Sequence, residues 1–152
     1  GRQNGKIKVH KVWVAVDVGR AWIEVGYGEW TGRSISQLRR TKLWRRVMFA
    51  PSNVRFPGGE SLLEVQGRAV DATLDIAARH ARGTVVVVSH ADVIRLLVAH
   101  VAGMHADHLQ RLSIDTASIT AVSISDGFPR LLTLNDTADL AVLRSGRGKL
   151  GG

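Results

Sequence analysis

Two short stretches carry residue types and spacings that can do chemistry. Residues 83–100 read GTVVVVSHADVIRLLVAH: four valines run into Ser89-His90, and an apolar-periodic segment follows at once. In open α/β sheets, ligands sit beyond the carboxyl ends of the strands. The free N–H groups and the dipole of a following helix favour negative charge there. At such a junction His90 can give a phosphate a hydrogen bond or a charge. The same residues also read as a plain capping junction, because Ser89-x-x-Asp92 resembles a capping box and the histidine then merely packs. The second stretch is IEVGYGEWTGR, where Glu24 precedes a glycine-rich aromatic loop. A carboxyl held at a site mouth against an apolar wall keeps its proton and can serve as a general acid, whereas most glutamates in such loops are simply solvated. His10, His80, His100, His105 and His108 have no comparable context. His105 and His108 are three apart with no third ligand nearby, so neither a metal site nor any other cofactor is expected.

Elements must hold these groups in place. Residues 7–18, IKVHKVWVAVDV, alternate apolar and polar positions with β-branched valines and are expected to form a strand. GYGEWTGR reads as a loop, residues 34–48 as a helix through Ile35, Leu38, Trp44, Val47 and Met48, and FPGGE as a second loop. Ser61-Leu62-Leu63-Glu64 is a capping box opening a helix to about residue 82, with an apolar stripe at Leu62, Val65, Ala69, Thr73 and Ile76. Residues 85–88 are a short continuous apolar run, expected as a strand buried on both faces. A helix from Asp92 then ends at Gly103, and residues 118–123 and 131–134 are expected as strands around DGFP. Helix, buried strand, helix, then strands argues for a three-layer α/β/α domain with a largely parallel sheet.

Composition sets the bounds. At 152 residues the chain is one domain by length, and it has no cysteine for disulfides or thiolate metal sites. That is compatible with a reducing, cytoplasmic setting. Arg95 and His100 interrupt the best apolar run, so no membrane span is expected, and GRQNGKIKVH lacks the apolar core of a secretion signal. Net charge is +8; of the 21 basic residues, five are lysine and the other sixteen arginine. Arginine's fork suits phosphate and carboxylate, although coding bias gives the same composition. Arg33, Arg39, Arg40, Lys42, Arg45 and Arg46 crowd residues 33–46. That patch admits a nucleic-acid reading, which is disfavoured because no nucleic-acid motif accompanies it.

Taken in order, IEVGYGEWTGR, FPGGESLLEVQGRA, VVVVSHADVIRLLVAHVAG, then SIT and LLTLNDTADL resemble the histidine phosphatase superfamily, and within it the phosphoglycerate mutase-like branch. The resemblance covers residues 14–140, leaving 1–13 as an unmatched segment and 141–152 as a flexible tail. It implies a phosphoglycerate mutase-like three-layer fold and phosphoryl transfer from small phosphomonoesters through a phosphohistidine. By motif, Glu24 matches the general acid and His90 the second histidine, which steadies the phosphoryl group. Ser89, Ala91 and Arg33 are expected at the phosphate and substrate. Residues 33–46 then become a solvated lid helix. The family's Arg-His-Gly nucleophile motif and its Ser-Ser-x-x-x-Arg segment are absent from the 152 residues, so the domain is expected to be N-terminally incomplete. Ala91 stands where glycine is frequent, and Asp139 where histidine is. The functional expectation is a truncated phosphatase or phosphomutase. The alternatives are a non-catalytic remnant that binds phosphorylated ligands or a protein partner, and a basic nucleic-acid binder. A missing first strand would expose a sheet edge open to self-association.

Overall fold

The computed structural model describes residues 19–81, 83–125 and 127–137. The strand expected over residues 7–18, with His10, and the tail with Asp139 lie outside them, as do most of the proposed N- and C-terminal boundary segments.

A short helix α1 (Gly19–Trp22) buries Trp22 and leads into the Glu24 loop, which contains a 3₁₀ turn at Gly28–Trp30. Beyond it, the single helix expected over 34–48 is two helices, α2 (Ile35–Leu38) and α3 (Lys42–Phe49). Thr41 is the cause. Its hydroxyl donates to the Leu38 carbonyl at 2.7 Å and accepts from the Trp44 N–H at 3.2 Å. A threonine side chain that satisfies both helix ends lets the chain stop and restart.

The Ser61–Glu64 capping box forms, with Ser61 Oγ accepting from the Glu64 N–H at 3.2 Å and Glu64 accepting from the Ser61 N–H at 2.9 Å. It opens α4 (Leu62–Arg79), whose stripe buries Leu62, Val65 and Ala69 and packs Ile76 against the core. The helix stops at Arg79, short of residue 82, on a His80 cap. A second long helix, α5 (Ala91–Val101), buries Val93, Leu96, Val98 and Ala99 and packs against α4. Gln66 of α4 donates to the Leu96 carbonyl at 2.9 Å. Around this pair Trp22, Val25, Trp30, Leu38, Val54, Phe56 and Leu109 complete one core.

The strands depart from expectation. The described residues contain one sheet, the antiparallel pair β1 (Ile119–Ser125) and β2 (Phe128–Asp136). Val122 lies opposite Leu131 and Ser125 opposite Phe128, with two register shifts near Ala121. This is the pair read around DGFP. The parallel sheet of a three-layer domain is not found among the described residues. Residues 85–88 carry a single bridge residue, Val86, rather than a strand, and are not buried on both faces: Val88 is 68% exposed and Val86 45%. A doubly buried strand needs neighbours on both sides, and no described strand flanks these residues.

Candidate functional site

The Glu24 loop is shaped by two glycine-rich turns that cross at backbone distance. Gly28 has φ +55°, and a Cβ there would lie 2.1 Å from the Pro57 carbonyl oxygen. A Cβ at Gly59 would lie 2.1 Å from the Gly26 carbonyl oxygen. Only residues without a side chain allow this approach. It is closed by Glu29 N–H to Pro57 O and Glu60 N–H to Gly26 O, both 2.9 Å. GYGEW and FPGGE are thus one interlocked feature, anchored beneath by Phe56. The Phe56 ring meets Tyr27 edge-on at 5.1 Å and Trp30 at 5.3 Å.

Arg68 of α4 fastens the other side of the loop. Its guanidinium donates to the carbonyls of Ala21 at 2.6 Å, Ile23 at 3.0 Å and Glu24 at 3.3 Å, and to Glu60 Oε1 at 3.0 Å. Glu60 Oε2 in turn accepts the Gly26 N–H at 2.8 Å. The backbone of Glu24 is therefore gripped on both sides of its Cα. Burial pushes the Glu60 carboxyl up, but the hydrogen bonds from Arg68 and Gly26 outweigh it and hold the group below its ordinary value. Sequence reasoning missed this clamp. Its signal was the Glu60-x₇-Arg68 spacing, which puts both residues at one end of the capped helix.

Glu24 and His90, 66 positions apart in sequence, come together. His90 Nδ1 lies 3.6 Å from Glu24 Oε2, with side chains 52% and 39% exposed. That separation brings the two groups within reach of each other but is too long for a hydrogen bond. Glu24 Oε1 accepts the Val25 N–H at 2.9 Å, which fixes the carboxylate's orientation. The apolar wall anticipated around this carboxyl is only partial, since it is more than a third exposed. With Nδ1 turned to Glu24, Nε2 of His90 is the nitrogen left for a ligand.

His90 is itself the N-cap of α5 and makes no side-chain cap bond. The capping box anticipated at Ser89-x-x-Asp92 does not form. Ser89 Oγ donates instead to the Trp22 carbonyl at 2.7 Å, tying the residue before His90 to the helix before Glu24. Ala91 is the first residue of α5, where its N–H belongs to the free first turn. Arg33 sits on the exposed turn after Trp30, its N–H bonded to the Trp30 carbonyl at 3.1 Å, and its guanidinium makes no ion pair among the described residues. The structure thus joins Glu24 and His90, with Ser89 and Ala91 on either side of His90, and the described contacts of Arg33 include none of these residues. His105 and His108 face each other with ring centroids 6.5 Å apart, and no cluster able to hold a metal occurs among the described residues.

Asp92 has a use that its sequence position did not reveal. Its Oδ2 accepts the Tyr27 hydroxyl at 2.8 Å, and its Oδ1 pairs with Arg95 Nη1 at 3.0 Å. Burial, then the adjacent Asp92 carboxylate, pushes the Tyr27 phenol far above its ordinary range, so it remains a donor.

The fold is of the phosphoglycerate mutase-like α/β class. YhfR of Bacillus stearothermophilus superposes with a TM-score of 0.70 at 26% identity, covering 76% of this chain and 58% of its own. A phosphoserine phosphatase variant of Entamoeba histolytica in complex with phosphoserine gives 0.70 at 20% identity, over 78% and 61%. The model of the histidine phosphatase superfamily, branch 1, matches residues 7–137, and the chain belongs to that family. Phosphoserine phosphatase 1 of Hydrogenobacter thermophilus is 30% identical over 120 residues. That alignment covers 78% of this chain and 57% of the relative, so the chain spans little more than half the length of the curated protein it matches.

Proposed function

We propose that this chain supplies the acid and histidine half of a site that hydrolyses small phosphomonoesters. The observation carrying the reading is the 3.6 Å approach of Glu24 and His90 from two distant motifs of a phosphatase family. In the proposed reaction a histidine nitrogen from an Arg-His-Gly segment attacks phosphorus and the bond to the ester oxygen breaks. Glu24 delivers a proton to that departing oxygen. His90, through Nε2, and the first-turn N–H groups of α5 bear on the phosphoryl oxygens, where charge is greatest in the transition state. Water then attacks the phosphohistidine, with Glu24 as base, and phosphate leaves.

The 152 residues contain no Arg-His-Gly. Covalent catalysis needs its attacking atom, so the chain alone turns over aryl phosphates no faster than buffer. The test is to fuse the strand–helix–strand–helix portion of a full-length relative, with its Arg-His-Gly and second arginine, ahead of Val14. Turnover that depends on both Glu24 and His90 supports the proposal, whereas a folded fusion without turnover refutes it.

A second reading is a non-catalytic phosphate-binding domain, favoured by the half-exposed His90 above an uncapped α5 N-terminus. Amide shifts on adding phosphate distinguish it. Changes at residues 89–92 in the unfused chain, weakened by His90→Ala, support it. Changes confined to residues 39–46 point to the basic α2–α3 segment instead.

A further inference from the structure

We infer that Tyr27 is a positioning residue: its hydroxyl ties the Glu24 loop to the first turn of α5 and so sets the approach of Glu24 to His90. This rests on the reading of Glu24 and His90 as the working pair. Tyr27 lies three residues after Glu24, and Asp92 lies two after His90. The 2.8 Å bond from Tyr27 Oη to Asp92 Oδ2 is therefore a strut between the two segments that carry the pair, parallel to the Glu24–His90 contact. Both ends of the strut are themselves fixed. The Tyr27 ring is set by its edge contact with Phe56, and the Asp92 carboxylate is held by Arg95 one helical turn on.

Most of the other anchors do not supply this relation, and one runs alongside it. Arg68, Glu60 and the crossing glycine turns tie the Glu24 loop to α4 and to the 57–60 turn. Ser89 joins the residue before His90 to Trp22, the last residue of α1 and two before Glu24, so it holds the chain ends that enter the site while Tyr27 holds the side of the loop that leaves it. Of the described side-chain hydrogen bonds, the one from Tyr27 to Asp92 alone spans from the Glu24 loop to α5. A phenol bonded to a carboxylate is a charge-assisted contact, shorter and stronger than a neutral pair. Burial keeps the phenol protonated, so it stays a donor to Asp92.

The test uses the unfused chain and needs neither turnover nor ligand. The ¹³C carboxyl resonance of Glu24 is recorded with and without His90→Ala, first in the wild type and then in Tyr27→Phe, which keeps the ring on Phe56 and removes the hydroxyl. In the wild type, loss of the imidazole shifts the Glu24 signal. In Tyr27→Phe that shift falls by about half or more, because the pair is no longer held together. Asp92→Asn, which leaves a weaker neutral acceptor, gives an intermediate value, and combining it with Tyr27→Phe adds little. A shift unchanged in Tyr27→Phe overturns the positioning role while leaving the pair intact. Absence of any shift in the wild type means Glu24 and His90 are not a pair, which overturns the proposed function and this inference together. Should Tyr27→Phe fail to fold, Asp92→Asn alone decides by the same comparison.

Discussion

Replacing Arg68 by alanine removes one guanidinium that holds three carbonyls and one carboxylate, and its cost can be worked from those contacts. The Arg68–Glu60 pair is 17% and 31% exposed. Breaking a fully buried ion pair by deleting one partner costs roughly 3–5 kcal/mol, because the other charge is left uncompensated. Partial exposure relieves some of that penalty. The carbonyls of Ala21 and Ile23, bonded at 2.6 and 3.0 Å, lose a charged donor but lie near enough to the surface to regain water. A net loss of about 3 kcal/mol follows, a large share of the roughly 5–15 kcal/mol that holds a domain together. With a urea dependence of about 2 kcal/mol per molar, the unfolding midpoint falls by about 1.5 M. Arg68→Lys keeps the charge but reaches one end of the fork only, and recovers roughly half of that loss. A midpoint for Arg68→Ala within about 0.3 M of wild type, or Arg68→Lys equal to wild type, refutes the clamp.

Gly28→Ala places a methyl 2.1 Å from the Pro57 oxygen at φ +55°, so the two turns must separate. Amide exchange at Glu29 and Glu60, whose N–H groups cross between the turns, becomes fast. Ser89→Ala loses the bond to the Trp22 carbonyl and destabilises the chain by about 1 kcal/mol in urea unfolding, without weakening phosphate affinity. The Glu60 carboxyl sits below its ordinary value of 4.5 in the folded chain. Its contribution is complete above that value and is lost as pH falls through the lower folded one. Glu60→Gln is therefore less stable than wild type at pH 7 and loses less on acidification, as measured by unfolding midpoints from pH 7 to pH 2. The part of the acid limb that remains includes Glu64, which Arg55 holds down at about 2, and Asp107, which the Ser52 N–H holds below its ordinary value.

Local rules were legible wherever a few neighbouring residues decide the outcome. The Ser61 capping box, the Leu62–Val65–Ala69 stripe and the strands around DGFP each follow from short spacings. The division of residues 34–48 was missed because the periodicity of Ile35, Leu38 and Trp44 outweighed Thr41, whose hydroxyl serves both helix ends. Residues 85–88 were read as doubly buried from hydrophobicity alone, but burial is set by neighbouring strands, which four valines do not specify. At the site, Glu24 and His90 stood out by residue type and motif. The groups that hold them did not. Glu60 reaches Gly26 across 34 positions, Arg68 the Ala21 carbonyl across 47 and Tyr27 Asp92 across 65, and such contacts leave no local pattern; the eight-position Glu60–Arg68 spacing alone is short enough to read. The capping box read at Ser89-x-x-Asp92 fails for the same reason, since the acceptor of the Ser89 hydroxyl lies 67 residues away.

The central claim is that Glu24 donates the proton while His90 acts on the phosphoryl group, and leaving-group dependence in the fused, active protein tests it most directly. Glu24→Gln keeps the shape and removes the transferable proton. General acid catalysis contributes typically about 10²–10⁴-fold, so kcat/KM for an alkyl phosphate falls by about that factor. For nitrophenyl phosphate, whose leaving group needs little protonation, the loss stays within about tenfold. His90→Ala slows both substrates alike. Equal losses on the two esters for Glu24→Gln contradict the assignment and make Glu29, on the same loop, the next candidate acid.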